Sequence, residues 1–143
     1  MEYKTPTSEN IKLAKYITTI VGWNRTVCTY WDDANENYID IFTCDDPIDS
    51  EVKFYGTIGL SDYPNEIEMK DDNYLNIPVE LLMTGYKVYD KIPNILSTCA
   101  FYLSKNKWTC QPGRVFLRML DFYYKKEMQH VMFIERYIYC IYN

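Results

Sequence analysis

Carboxylates are the chain's most abundant chemical resource, and several come in pairs: Asp32/Asp33, Asp45/Asp46 and Asp71/Asp72. Hard oxygen donors of this kind suit Mg²⁺ or Ca²⁺. The alternating acid order of an EF-hand loop is missing, so the pairs do not spell a calcium loop. A second constellation is Glu51-Val52-Lys53, with Asp33 or Asp49 upstream. It has the skeleton of a metal-dependent nuclease site, where carboxylates hold Mg²⁺ and a lysine stabilises charge at the phosphate. A solvent-facing Glu–Lys pair on a strand accounts for the same residues equally well. His130 is the sole histidine. Any Ser-His-Asp or Cys-His nucleophile would have to run through it, and a histidine zinc site lacks ligands. It lies in the apolar run Gln129 to Ile134, which reads as a strand, and a structural histidine with one satisfied hydrogen bond is the plainer account. The five cysteines, Cys28, Cys44, Cys99, Cys110 and Cys140, are widely spaced and form no C-x-x-C pair. That pattern fits reduced thiols better than a zinc site or a disulfide scaffold. There is no glycine-rich phosphate loop, nucleophile elbow or dinucleotide fingerprint. No metal, no cofactor and no enzymatic activity are expected.

These residues must be positioned by a chain of 143 residues, a size that fits one domain spanning 1–143. Hydrophobic residues make up 48% and charged residues 24%, which excludes a disordered or low-complexity chain. The net charge of −5 argues against nucleic acid as a partner, because phosphate contacts need clustered Lys and Arg. The N-terminal segment carries Glu2, Lys4, Glu9, Lys12 and Lys15 and has no apolar h-region. The longest uncharged run near a helix signal, Ile92 to Ser104, is too short to span a membrane. A soluble, cytoplasmic protein is expected.

Elements follow from periodicity. Thr7 or Ser8 caps a helix whose face is Leu13, Ile17, Ile20 and Val21, stopped by Gly22. Arg25–Trp31 and Tyr38–Thr43 are β-branched and aromatic, with turn chemistry at 32–37 between them, which predicts a hairpin. Val52–Leu60 reads as a long strand and Ile77–Gly85 as another, starting at or after Pro78. Asp90 is the expected cap of a second helix over Ile92–Ser104, with Pro93 in its first turn. Val115–Tyr124 is ambiguous between strand and helix. Val131–Ile134 and Tyr137–Tyr142 read as strands. The fold expected is α+β: a mixed, mostly antiparallel sheet with two principal flanking helices.

Charge is segregated along the chain. Asp32 to Asp72 holds thirteen acids against Lys53 and Lys70, whereas Lys87 to Lys126 holds eight bases against two acids. One reading is a solvated surface that keeps the protein soluble. The other is a docking face for a basic protein partner. On the second reading the contact residues are Asp32, Asp33 and Glu36 in one loop and Asp45, Asp46 and Asp49 in the next. Trp31 and Tyr38 supply aromatic anchors. A 25–31/38–43 hairpin puts the two loops at opposite ends of a short sheet, roughly 20 Å apart.

Gly56-Thr57-Ile58-Gly59-Leu60-Ser61-Asp62-Tyr63-Pro64, followed by Pro78-Val79-Glu80-Leu81-Leu82-Met83, resembles the bacterial suppressor-of-fused domain family. The helix Ile92–Ser104, the loop with Trp108 and Pro112-Gly113, and His130-Val131-Met132-Phe133 extend the resemblance over Val52 to Ile134. It implies a mixed sheet with flanking helices and no catalytic centre. It also implies an immunity protein or antitoxin that neutralises a bacterial toxin, often a nuclease, by stoichiometric binding. Two alternatives stand beside it: a small Mg²⁺-dependent nuclease using Glu51 and Lys53, and a generic interaction module.

Overall fold

The turn chemistry at 32–37 closes the hairpin on which the rest of the sheet is built. In the computed structural model, which describes residues 4–21, 25–125 and 127–135, β1 (Arg25–Trp31) pairs antiparallel with β2 (Tyr38–Asp45). Trp31 stands opposite Tyr38 at the loop end and Arg25 opposite Cys44 at the other. β2 continues through a tight turn into β3 (Val52–Ile58), with Asp45 facing Lys53. Two further strands, β4 (Glu66–Glu68) and β5 (Tyr74–Asn76), form a separate small hairpin. β6 (Leu82–Tyr86) then returns to pair with β3. The four-stranded sheet has the order β1-β2-β3-β6, and every described pairing is antiparallel.

Two helices cover this sheet, and strand alternation assigns their faces. α2 (Ile92–Ser104) packs on β2, β3 and β6 over Ile39, Ile41 and Tyr55. A Cβ on Gly85 would overlap Ile92, so glycine there lets α2 approach the sheet. Phe42 and Cys44 are buried on the opposite face, and α1 (Ser8–Val21) meets β3 there. Thr7 Oγ1 accepts the Asn10 amide at 3.1 Å and closes the first turn of α1. The stop expected at Gly22 lies outside the described residues. Phe42 lies across Gly56, where an added Cβ would overlap its ring and approach Leu82 to 2.8 Å.

Past α2 the chain forms an aromatic hub. The Trp108 ring lies 4.8 Å from that of Tyr102, tilted by 41°, and meets Phe116 edge-on at 4.9 Å, and Phe116 meets Phe133 edge-on at 4.7 Å. Short strands β7 (Val115–Phe116) and β8 (Val131–Met132) hold Phe116 in place. Gly113, at φ 85°, turns the chain so that its amide donates to the Phe133 carbonyl.

The α+β architecture with two helices and a mostly antiparallel sheet is as the sequence predicts. Five local expectations need correction. The strand expected over Ile77–Gly85 begins only at Leu82, because Pro78 lacks an amide and Glu80 is drawn into a loop of its own. The strand expected to reach Leu60 ends at Ile58: Gly59 adopts φ 99° and opens a 3-10 turn over Leu60–Asp62. Asp90 does not cap α2. Lys91 holds the cap position, and its amide donates to the Tyr124 hydroxyl at 2.7 Å instead. Val115–Tyr124 resolves into β7 and a 3-10 turn over Met119–Phe122, separated by Arg118 at φ 56°. The strand expected over Gln129–Ile134 shrinks to Val131–Met132, so His130 lies just before β8 rather than in it, where its Nδ1 accepts the Arg118 amide at 2.7 Å. Residues 137–142, expected as a strand, lie outside the described residues. No helix among the described residues is long and apolar enough to cross a membrane.

Candidate functional site

The β1–β2 loop is organised by one of its own acids. Asp32 is 8% exposed, and its carboxylate accepts the Glu36 amide at 2.9 Å, the Asn37 amide at 3.3 Å and the Asn37 side-chain amide at 2.9 Å. Lys105, just past α2, adds an ion pair at 2.6 Å. The Lys105 ammonium, followed by the Asn37 side chain and the loop amides, holds the Asp32 carboxyl well below the usual carboxylate range. Asp32 raises the Lys105 pKa in turn. Asn35 takes the left-handed conformation the turn needs, at φ 54°. The result is a rigid loop that turns Asp33 and Glu36 out to solvent. At its base the Trp31 and Tyr38 rings lie 5.0 Å apart, tilted by 49°. The Tyr38 hydroxyl accepts the Lys4 amide and donates to the Lys4 carbonyl.

The second acidic group lies at the other end of the hairpin, as expected from the pairing. Asp45 faces Lys87 at 3.2 Å. Asp46 accepts the amides of Ile48 and Asp49, and Asp49 accepts that of Glu51, so these acids shape the β2–β3 turn. Asp49 remains exposed, while Asp45 and Asp46 are half-buried. Of the six acids and two aromatics singled out from sequence, the structure brings Trp31, Asp32, Asp33, Glu36 and Tyr38 together. It places Asp45, Asp46 and Asp49 apart from them.

The nuclease skeleton does not assemble. Glu51 is exposed on the turn beside Asp49, whose carboxylate accepts the Glu51 amide and shapes the turn; Lys53 projects from β3 opposite Asp45, and Asp33 is at the far end of the sheet. The shallow groove beside Lys53 is lined by Thr43, Tyr55, Lys87, Asp90 and Pro93. Among the described residues no three His, Cys, Asp or Glu side chains converge on a metal-sized site.

Two features escape sequence reasoning. Glu80 is a buried-side organiser: its carboxylate accepts the amides of Gly59, Leu60 and Ser61 and the hydroxyls of Thr57 and Ser61, at 2.6–3.2 Å. The signal was an acid inside the apolar run Val79–Met83. The other is the β4–β5 hairpin. It exposes Met69, Tyr74, Leu75 and Ile77 beside Glu66, Glu68, Asp71 and Asp72. Asn65 anchors it by exchanging hydrogen bonds with the Cys110 backbone at 2.7 and 2.9 Å.

Residues 35–136 match the family described as Suppressor of fused protein. The chain is also 31% identical, over 133 residues, to a protein named Immunity protein YqcF from Bacillus subtilis (strain 168). That alignment covers 92% of this chain and 68% of the relative. No solved structure matches.

Proposed function

This chain belongs to the suppressor of fused family, and from that membership we propose that it is an immunity protein that neutralises a toxin by stoichiometric binding. The similarity to a protein named for immunity carries this reading. The partner is a basic protein, and it docks on the β1–β2 loop. Asp33 and Glu36 steer it electrostatically, and Trp31 and Tyr38 give a rigid aromatic base for contact. Asp32 acts from behind as the group that holds this loop in shape. Asp45, Asp46 and Asp49 form a second acidic contact that a large partner reaches across the sheet. The protein works without catalysis, without a cofactor and in the cytoplasm.

The test pairs the purified chain with the toxin domain encoded beside its gene. Inhibition of the toxin that saturates at a fixed molar ratio supports immunity; an active toxin in the presence of excess chain overturns it. Asp33→Asn with Glu36→Gln slows association and flattens its salt dependence, and Trp31→Ala mainly speeds dissociation. If both bind like the parent, the docking face lies elsewhere, first on the β4–β5 hairpin. The same preparation, incubated with plasmid and RNA in Mg²⁺ or Mn²⁺, leaves both intact. Cleavage lost in Glu51→Gln and Lys53→Ala would replace immunity with nuclease activity.

A further inference from the structure

The edge strand β1 is built like half of an interface. Natural edge strands are protected by lysine, proline, a bulge or a covering element. β1 contains no Lys and no Pro, its register with β2 is unbroken over seven residues, and no neighbouring strand lies on its outer side among the described residues. Its first four residues, Arg25, Thr26, Val27 and Cys28, are all exposed, so neither face of this end is covered.

The backbone phase follows from the loop. Asp32 donates its amide to the Asn37 carbonyl at 2.9 Å, so the even-numbered residues of β1 bond inward to β2. The amides and carbonyls of Arg25, Val27 and Thr29 then point outward. A two-fold antiparallel copy can use these groups in a register that overlaps the whole strand. That register is centred on Cys28: Val27 faces Thr29, Thr26 faces Tyr30, and Arg25 faces Trp31. It sets outward-pointing residues against outward-pointing residues, as an antiparallel ladder requires. It also brings the lone cation of the strand, Arg25, to the second copy's loop end, where Asp33 and Glu36 are exposed, and symmetry makes this contact twice. The strand is self-complementary in backbone phase, in side-chain pairing and in charge.

We propose that β1 pairs with β1 of a second copy of this chain, making a continuous eight-stranded sheet across a two-fold axis at Cys28. The test contains no toxin, so this proposal and the immunity reading fail separately, although the dimer engages Trp31, Asp33 and Glu36 of the proposed docking face. In the proposed register the two Cys28 residues form a non-hydrogen-bonded pair with Cα atoms about 4.5 Å apart, within disulfide reach.

The test measures mass by sedimentation from low to high micromolar concentration in reductant. The parent rises to twice the 17.1 kDa chain mass. Val27→Pro, which removes an outward amide, and Val27→Lys, which leaves the backbone intact, both remain monomeric while melting as cooperatively as the parent. The lysine variant reads the interface should the proline variant fail to fold. Mild oxidation by copper–phenanthroline, with dissolved oxygen as electron acceptor, links Cys140→Ser into a covalent dimer and leaves the Cys28→Ser, Cys140→Ser double variant unlinked. Thr26→Cys in the Cys28→Ser, Cys140→Ser background also stays unlinked, because position 26 does not face itself. A parent that is monomeric throughout, a dimer that survives in Val27→Lys, or cross-linking that does not require Cys28 overturns the proposal.

Discussion

Two carboxylates far apart in the sequence each organise a loop by accepting its backbone amides. Asp32 holds its loop through charge and hydrogen bonds, and its depressed pKa gives a signed prediction. Stability from Asp32 is present above the ordinary carboxylate value of about 3.9 and is lost as pH falls below it toward the lower folded pKa. Urea midpoints measured from neutral to strongly acid pH should therefore fall more steeply in the parent than in Asp32→Asn, and the two curves should converge at the acid end. Glu80 gathers three backbone amides and two hydroxyls around one carboxylate. Glu80→Gln keeps the shape but turns a donor toward those donors. It should cost on the order of 2–3 kcal/mol, read as a lower urea midpoint at unchanged slope. The thiols separate by burial. Cys99 is pushed up to about 12 and Cys110 to about 11 by burial, whereas Cys28 is exposed on β1. In the native protein Cys28 should react with a thiol reagent well before Cys44, Cys99 and Cys110. Under denaturing, non-reducing conditions all five cysteines should titrate as thiols.

At the scale of elements, the sheet depends on close approach. Gly56 allows Phe42 to cross β3 on the α1 face, and Gly85 allows Ile92 of α2 to reach the sheet on the other. Gly56→Ala puts a methyl group into the buried Phe42 ring and should destabilise by about 1–3 kcal/mol, measured by thermal or urea unfolding. Helical periodicity located α1 and α2, and β-branched and aromatic runs separated by turn residues located β1 and β2. The β4–β5 hairpin was not legible. Its strands are three residues long, and its turn uses Asp71 and Asp72 at positive φ, a conformation without a glycine to signal it.

Across the whole molecule, charge is distributed by the hairpin rather than by the chain order. The acids from Asp32 to Asp49 follow one another closely in the sequence, and the β1–β2 pairing places them at opposite ends of the sheet, as the hairpin reading expects. In the encounter proposed above, Asp33 and Glu36 act through exposed charge, which salt screens. Association with a basic toxin should slow as ionic strength rises, and most of that dependence should vanish in the Asp33→Asn, Glu36→Gln variant in stopped-flow measurements.

Composition and local pattern alone determined the α+β class, the principal helices, the first hairpin and the acidic character of its loop. Each of these depends on residues near one another in the chain. Tertiary structure decided which acids carry free charge. Lys105 lies seventy-three residues from Asp32, and only the packing of α2 on the sheet brings it to that carboxylate at 2.6 Å. The same holds for Glu80, whose partners are 19–23 residues away and converge because Gly59 turns the chain back over them. It holds for Glu51 and Lys53, adjacent enough in sequence to suggest a nuclease but placed apart from Asp33 by the sheet. Spacing along a chain registers which groups are near; a carboxylate's role is set by the donors that folding brings to it from far away.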